Sequence, residues 1–98
     1  MTATVSMSGV QVANLIDLLT ATAAGADDED RYQLDYCREQ VGELMAPIEV
    51  LVLAGVLREM TERPGPDPIT REGCRRWSAY LARRLSDPSA TGLLPLAA

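Results

Sequence analysis

"PIEVLVLAGVL", residues 47–57, is an apolar run interrupted only by Glu49 and Gly55. Ile, Val and Leu in so short a stretch suit a buried strand as well as a helix, and periodicity alone does not separate the two. The run continues into "REMTER" without a turn signal. An element reaching from 48 to about 62 is too long for an ordinary strand, so the stretch reads as a helix over roughly 48–62. Pro47 cannot donate to a helix arriving from its N-terminal side, and it suits the first turn of a new one. Only Glu49 and the charged last turn break the apolar circumference. A helix that is apolar nearly all round belongs at the centre of a bundle or at an interface.

The flanking segments read as three more helices. Residues 8–24 place Val12, Leu15, Ile16, Leu19 and Ala23 at helical spacing, with Ser8 as cap, Gly25 as stop and Gln11, Asn14 and Asp17 on the opposite face. A second helix opens at Asp27 or Asp28, where clustered acids meet the positive end of the helix dipole. Its apolar stripe runs Leu34, Cys37, Val41, Leu44, Ile48, and Asp35, Glu39 and Glu43 stack as an acidic column read as a solvated face. "RPGPDP" is a rigid loop. The last helix, 70–86, is capped by Thr70 and ended by Asp87-Pro88. Cys74, Trp77, Tyr80, Leu81 and Leu85 face inward, Arg71, Arg75, Arg76 and Arg83 face out, and the Arg84 stem can lie across Trp77. The expected fold is all-α: one helical domain over 1–88 with the third helix central, and a flexible tail over 89–98.

Composition bounds the function. At 98 residues, 47% of them hydrophobic and 23% charged, the chain is a single globular domain with a thin core. All nine basic residues are Arg, and Lys, His and Phe are absent, a usage that fits a GC-rich bacterial genome. The net charge is −5, with eleven acids against four Arg in residues 1–66 and three acids against five Arg in 67–98. An acidic whole disfavours generic nucleic-acid binding, which depends on phosphate neutralisation. The N-terminus has no basic n-region and Asp17 breaks its apolar stretch, so the expected location is the cytoplasm, with no membrane partner and reduced thiols.

Without His, the common nucleophile–base pairs are excluded, and no glycine-rich phosphate loop is present. Cys37 and Cys74 have neither CxxC spacing nor a His nearby, so they read as small buried hydrophobes rather than zinc ligands. Glu39 and Glu43 are the obvious carboxylate pair, but a cation site normally converges more oxygens than these two supply. The expectation is no enzyme, no metal and no cofactor.

Residues 51–81, "LVLAGVLREMTERPGPDPITREGCRRWSAYL", resemble the end of winged-helix regulators of the MarR or PadR type. In that family a leucine-rich helix ends at Gly-hydrophobic-hydrophobic, a short hairpin wing follows, and a Thr-x-x-Gly segment opens a helix used for dimerisation. Leu51, Gly55, Val56, Leu57, Thr70 and Gly73 stand where that pattern wants them. The resemblance implies a DNA-binding transcriptional regulator, with nucleic-acid or partner contacts from Arg71, Arg75, Arg76 and Arg83. The helix in the DNA-reading position, 48–54, is apolar, and the loop in the wing position is proline-rich, so DNA binding is the alternative reading.

The favoured reading is a non-enzymatic helical interaction or regulatory module that acts as a homodimer. The other helices offer one apolar stripe each: Val12, Leu15, Ile16 and Leu19; Leu34, Cys37, Val41 and Leu44; Trp77 and Leu81. Those stripes leave part of the third helix uncovered, and a two-fold contact buries a patch against its own copy. The interface residues expected are Ile48, Leu51, Val52, Leu53, Val56 and Leu57. The competing cover is the tail, through Leu93, Leu94 and Leu96.

Overall fold

The computed structural model describes residues 4–86; the tail expected over 89–98 lies outside them. Four helices run in order, α1 (Gly9–Ala24), α2 (Asp28–Gln40), α3 (Pro47–Met60) and α4 (Pro68–Ser86), and two-residue strands β1 (Val5–Ser6) and β2 (Leu44–Met45) pair antiparallel. The domain is all-α, as its apolar periodicities require.

Three of the four helices begin on a side-chain cap. Ser8 accepts from the Gln11 N–H at 3.2 Å while the Gln11 side chain accepts from the Ser8 N–H at 2.8 Å, a reciprocal capping box. Gln11 was expected on the solvent face, yet it is buried, because its amide also donates to the Tyr80 hydroxyl at 2.9 Å and ties the start of α1 to α4. Asp27 caps α2 through the Asp30 N–H. α4 is capped by Asp67 rather than Thr70: the Asp67 carboxylate accepts from the Thr70 N–H at 2.7 Å and Pro68 fills the first helical position.

α3 answers half of the question its sequence raises. Ala46, its N-cap residue, has no acceptor side chain, and the Glu49 carboxylate accepts from the Ala46 N–H at 2.8 Å. The one charge inside the apolar run therefore serves the helix start. Gly55 is the other break, and its account lies in the exposed surface.

The second helix is shorter than its stripe suggests. It stops at Gln40; Val41 is extended, Met7 N–H donates to the Glu43 carbonyl at 2.8 Å, and Leu44–Met45 pairs with Val5–Ser6. Met45 turns into the core, whereas Leu44, read as part of the buried stripe, is exposed. Glu43 consequently leaves the acidic column.

The principal packing follows a ring, α1 on α2, α2 on α3, α3 on α4 and α4 on α1, with the α3–α4 pair the most extensive. The core is Leu15, Leu18, Leu19, Leu34, Met45, Val50, Leu53, Leu57, Met60, Trp77 and Leu81 with their neighbours. At the far end the α1–α2 turn meets the α3–α4 loop, backbone to backbone, at Gly25 and Gly65. Residues 61–67 form turns and bends without a strand, so the hairpin wing that the resemblance implies has no counterpart there. No helix among the described residues is long and apolar enough to cross a membrane.

Candidate docking surface on the third helix

The six residues expected at an interface divide between two faces of α3. Leu53, Val56 and Leu57 are buried in the monomer core together with Val50, Ala54 and Met60. They are corrected to core residues, since α4 and α2 pack over that side of the helix. Ile48, Leu51 and Val52 point outward with 64%, 57% and 44% of their surface exposed. The helical period accounts for the split. Positions 50, 53, 54, 57 and 60 form one stripe, and 48, 51, 52 and 55 form the opposite one.

Two neighbours missing from the sequence reading extend the outward stripe. Leu44, exposed on β2, precedes it, and Tyr36, half-exposed on α2, flanks it. Between Tyr36, Gln40, Met45, Ile48, Glu49, Val52 and Leu53 lies a shallow cleft of about 100 Å³, with the buried Cys37 at its floor. Burial raises the Cys37 thiol above its ordinary range, so it stays protonated at neutral pH. Leu44 becomes legible as surface only because α2 stops at Gln40, whereas Tyr36 lies within α2 off its buried stripe. Soluble monomers seldom expose a contiguous apolar patch of this kind.

Gly55 sits in the middle of that stripe. A Cβ built on it meets nothing within 4 Å. Glycine in an exposed helix interior costs roughly 1 kcal/mol relative to alanine, and no contact among the described residues offsets the cost. Gly73 is the contrast, since a Cβ there would press to 2.9 Å on the Leu18 side chain where α1 crosses α4.

The arginine face of α4 is largely spoken for. Arg71 donates to the Arg63 and Pro66 carbonyls at 3.1 and 2.9 Å and holds the α3–α4 loop. Arg75 and Arg76 both pair with Glu72, and those contacts hold the Glu72 carboxyl below its usual range. Arg83 makes no ion pair with a described residue. The ion pair that reaches from the α3–α4 loop to α2 is made by Arg63, whose Nε lies 2.8 Å from the buried Asp30 carboxylate. Arg84 leaves Trp77 and lies over Tyr80, 5.9 Å from the ring centroid, donating to its hydroxyl at 2.9 Å.

A broader groove of about 590 Å³ separates α1 from the start of α4, between Asp17, Ala21, Ile69 and Arg76. Its walls mix both charges with small and apolar side chains, among them Leu18 and the exposed Ile69. Among the described residues no three His, Cys, Asp or Glu converge as metal ligands. Comparison with protein-family models, with curated proteins and with solved structures found no match to this chain.

Proposed function

We propose that this protein is a non-enzymatic helical interaction module that works as a homodimer, joined through the outward face of α3 and free to present its other faces to a protein partner. The observation that carries the reading is the exposed stripe Ile48, Leu51, Val52 with Leu44 and Tyr36 beside it. A two-fold contact buries this patch in a single step, because one surface covers its own copy.

The energetics favour a weak, concentration-dependent dimer. Full burial of a Leu, Ile or Val side chain is worth about 1.5–3 kcal/mol. With half of each surface already covered, five residues per chain supply roughly 10 kcal/mol per dimer on that scale. Association costs about 4–15 kcal/mol in lost freedom, so at most about 6 kcal/mol remains, an affinity no tighter than roughly tens of micromolar.

The buried, free thiols Cys37 and Cys74 suit the reducing cytosol, and a cytosolic regulatory role fits the small acidic domain. Light scattering after size exclusion tests the reading. Wild type at several hundred micromolar should run as a dimer, and Val52→Glu as a folded monomer with unchanged helical circular dichroism. A monomeric wild type would overturn it.

DNA binding through the last helix is the rival. Of its four outward arginines, Arg71, Arg75 and Arg76 already have partners within the chain. A salt series on random duplex DNA separates the two readings. Steeply salt-dependent binding favours the rival, and no binding at low salt removes it.

A further inference from the structure

We infer that the outer face of α2 binds an arginine-rich segment of a partner protein, its guanidinium groups stacked on Tyr32 and Tyr36 and paired with Glu29 and Glu39. This rests on the reading of the chain as an interaction module, and it names the face and the chemistry of the partner.

At 3.6 residues per turn, Asp28, Glu29, Tyr32, Asp35, Tyr36 and Glu39 share one arc of α2, about a third of its circumference. α2 packs on α1 and α3 through the opposite side, which carries Leu34 and Cys37. Every residue of the arc is exposed or half-exposed. Tyr32 and Tyr36 stand one turn apart with 77% and 52% of their surface open. The chain has only one Trp and three Tyr, and its thin core takes Trp77 and Tyr80 alone. A tyrosine left outside offers a large contact surface at low cost in rotamer freedom, and such residues concentrate at interfaces.

The cations of α2 itself are turned away from this arc. Arg31 donates to the Ala23 and Ala26 carbonyls at 3.3 and 3.0 Å, closing the end of α1. Arg38 donates to the Thr20 hydroxyl at 3.2 Å. Each also touches one acid of the arc, Asp28 or Asp35. Glu29 and Glu39 make no ion pair with a described residue. The face therefore presents two phenol rings between unpaired carboxylates.

Charge complementarity decides the occupant. The face belongs to the stretch 1–66, with eleven acids against four Arg, so it repels phosphate and attracts basic protein. Guanidinium suits both of its parts, since it stacks on aromatic faces and donates to carboxylates from its edge. The α4 arginines of a second copy are a poor match, because Arg71, Arg75 and Arg76 already have partners within their own chain. Tyr36 also lines the cleft beside α3 and Tyr32 does not, so Tyr32 separates this surface from the dimer contact.

Fluorescence anisotropy of a labelled nona-arginine peptide, titrated with the full chain at about 0.15 M salt, tests this. Wild type should bind saturably. Tyr32→Ala, with unchanged helical circular dichroism, should weaken binding about two- to five-fold, the range of an exposed cation–π contact. Glu39→Gln should weaken it by a similar factor. Asp17→Asn, which removes the same charge on the α1–α4 side, should leave it unchanged. Absence of saturable binding would overturn the inference, as would a Tyr32→Ala protein that binds like wild type. An Asp17→Asn protein that loses as much as Glu39→Gln would also overturn it, by reducing the binding to net charge. A chain that stays monomeric in sedimentation yet binds the peptide through Tyr32 overturns the homodimer and leaves this inference standing.

Discussion

Gly65 packs against the carbonyl of Gly25 so closely that a side chain on Gly65 would overlap the oxygen, and one on Gly25 would stand 3.0 Å from the Gly65 oxygen. The α1–α2 turn and the α3–α4 loop are pinned together by this backbone contact, with Arg71 holding the loop from the other side. Gly65→Ala should lower stability by about 1–3 kcal/mol, as overpacking against rigid backbone does. Gly25→Ala, with more room, should cost less. Urea unfolding of both variants measures the order.

Tyr80→Phe should also destabilise, for a different reason. It removes the acceptor of the buried Gln11 amide and the partner of the Arg84 guanidinium while leaving the ring in place. A buried donor left without a partner costs about 1–3 kcal/mol. The unfolding midpoint should fall with no change in the denaturant slope.

Acid should weaken the start of α4. The Thr70 N–H bonded to Asp67, and the Arg75 and Arg76 guanidiniums bonded to Glu72, hold both carboxyls below their ordinary range. A carboxyl depressed in the folded state stabilises fully above its unfolded pKa of about 4, and that contribution is lost as pH falls through the lower folded value. Asp67→Asn, which keeps a capping oxygen without the charge, should flatten part of the loss between about pH 4 and 2. Unfolding midpoints across that range check the sign.

Much of the fold was legible in the sequence, and the misses share a cause. Helical periodicity located α1, α2 and α4, and an apolar run too long for a strand, with no turn signal inside it, located α3. It misplaced the end of α2, since Leu44 and Ile48 continue the stripe numerically after the chain has left the helix at Val41. The β1–β2 pair that redirects it joins residues some forty positions apart, and two-residue strands leave no periodicity to read. The interface was legible only as a helix: periodicity said that α3 was apolar all round, but which half met α4 depended on the packing. The arginine face was visible as a face, but the carbonyls that occupy Arg71 belong to a loop whose path no local pattern gives.

Thiol reactivity should report folding. Burial raises both Cys37 and Cys74, with the Thr22 hydroxyl contact only partly opposing it at Cys74. Neither thiol should react with a disulfide reagent at neutral pH on the timescale of free cysteine, and both should react at once in denaturant.

Gly55→Ala should act in opposite directions on the two equilibria. In the folded monomer it adds helix propensity worth about 1 kcal/mol. At the dimer contact it adds a methyl group where the second copy would approach the bare backbone. Thermal unfolding at low concentration should shift up, and the dimer dissociation constant should rise.

Sedimentation equilibrium on the wild-type chain tests the central claim most directly. From low to high micromolar loading, the account predicts a reversible shift from the 10.6 kDa monomer to twice that mass. It also predicts that Val52→Glu stays monomeric and helical, whereas Leu53→Glu, in the monomer core, fails to fold. A wild-type chain that remains at the monomer mass at high micromolar concentration contradicts it.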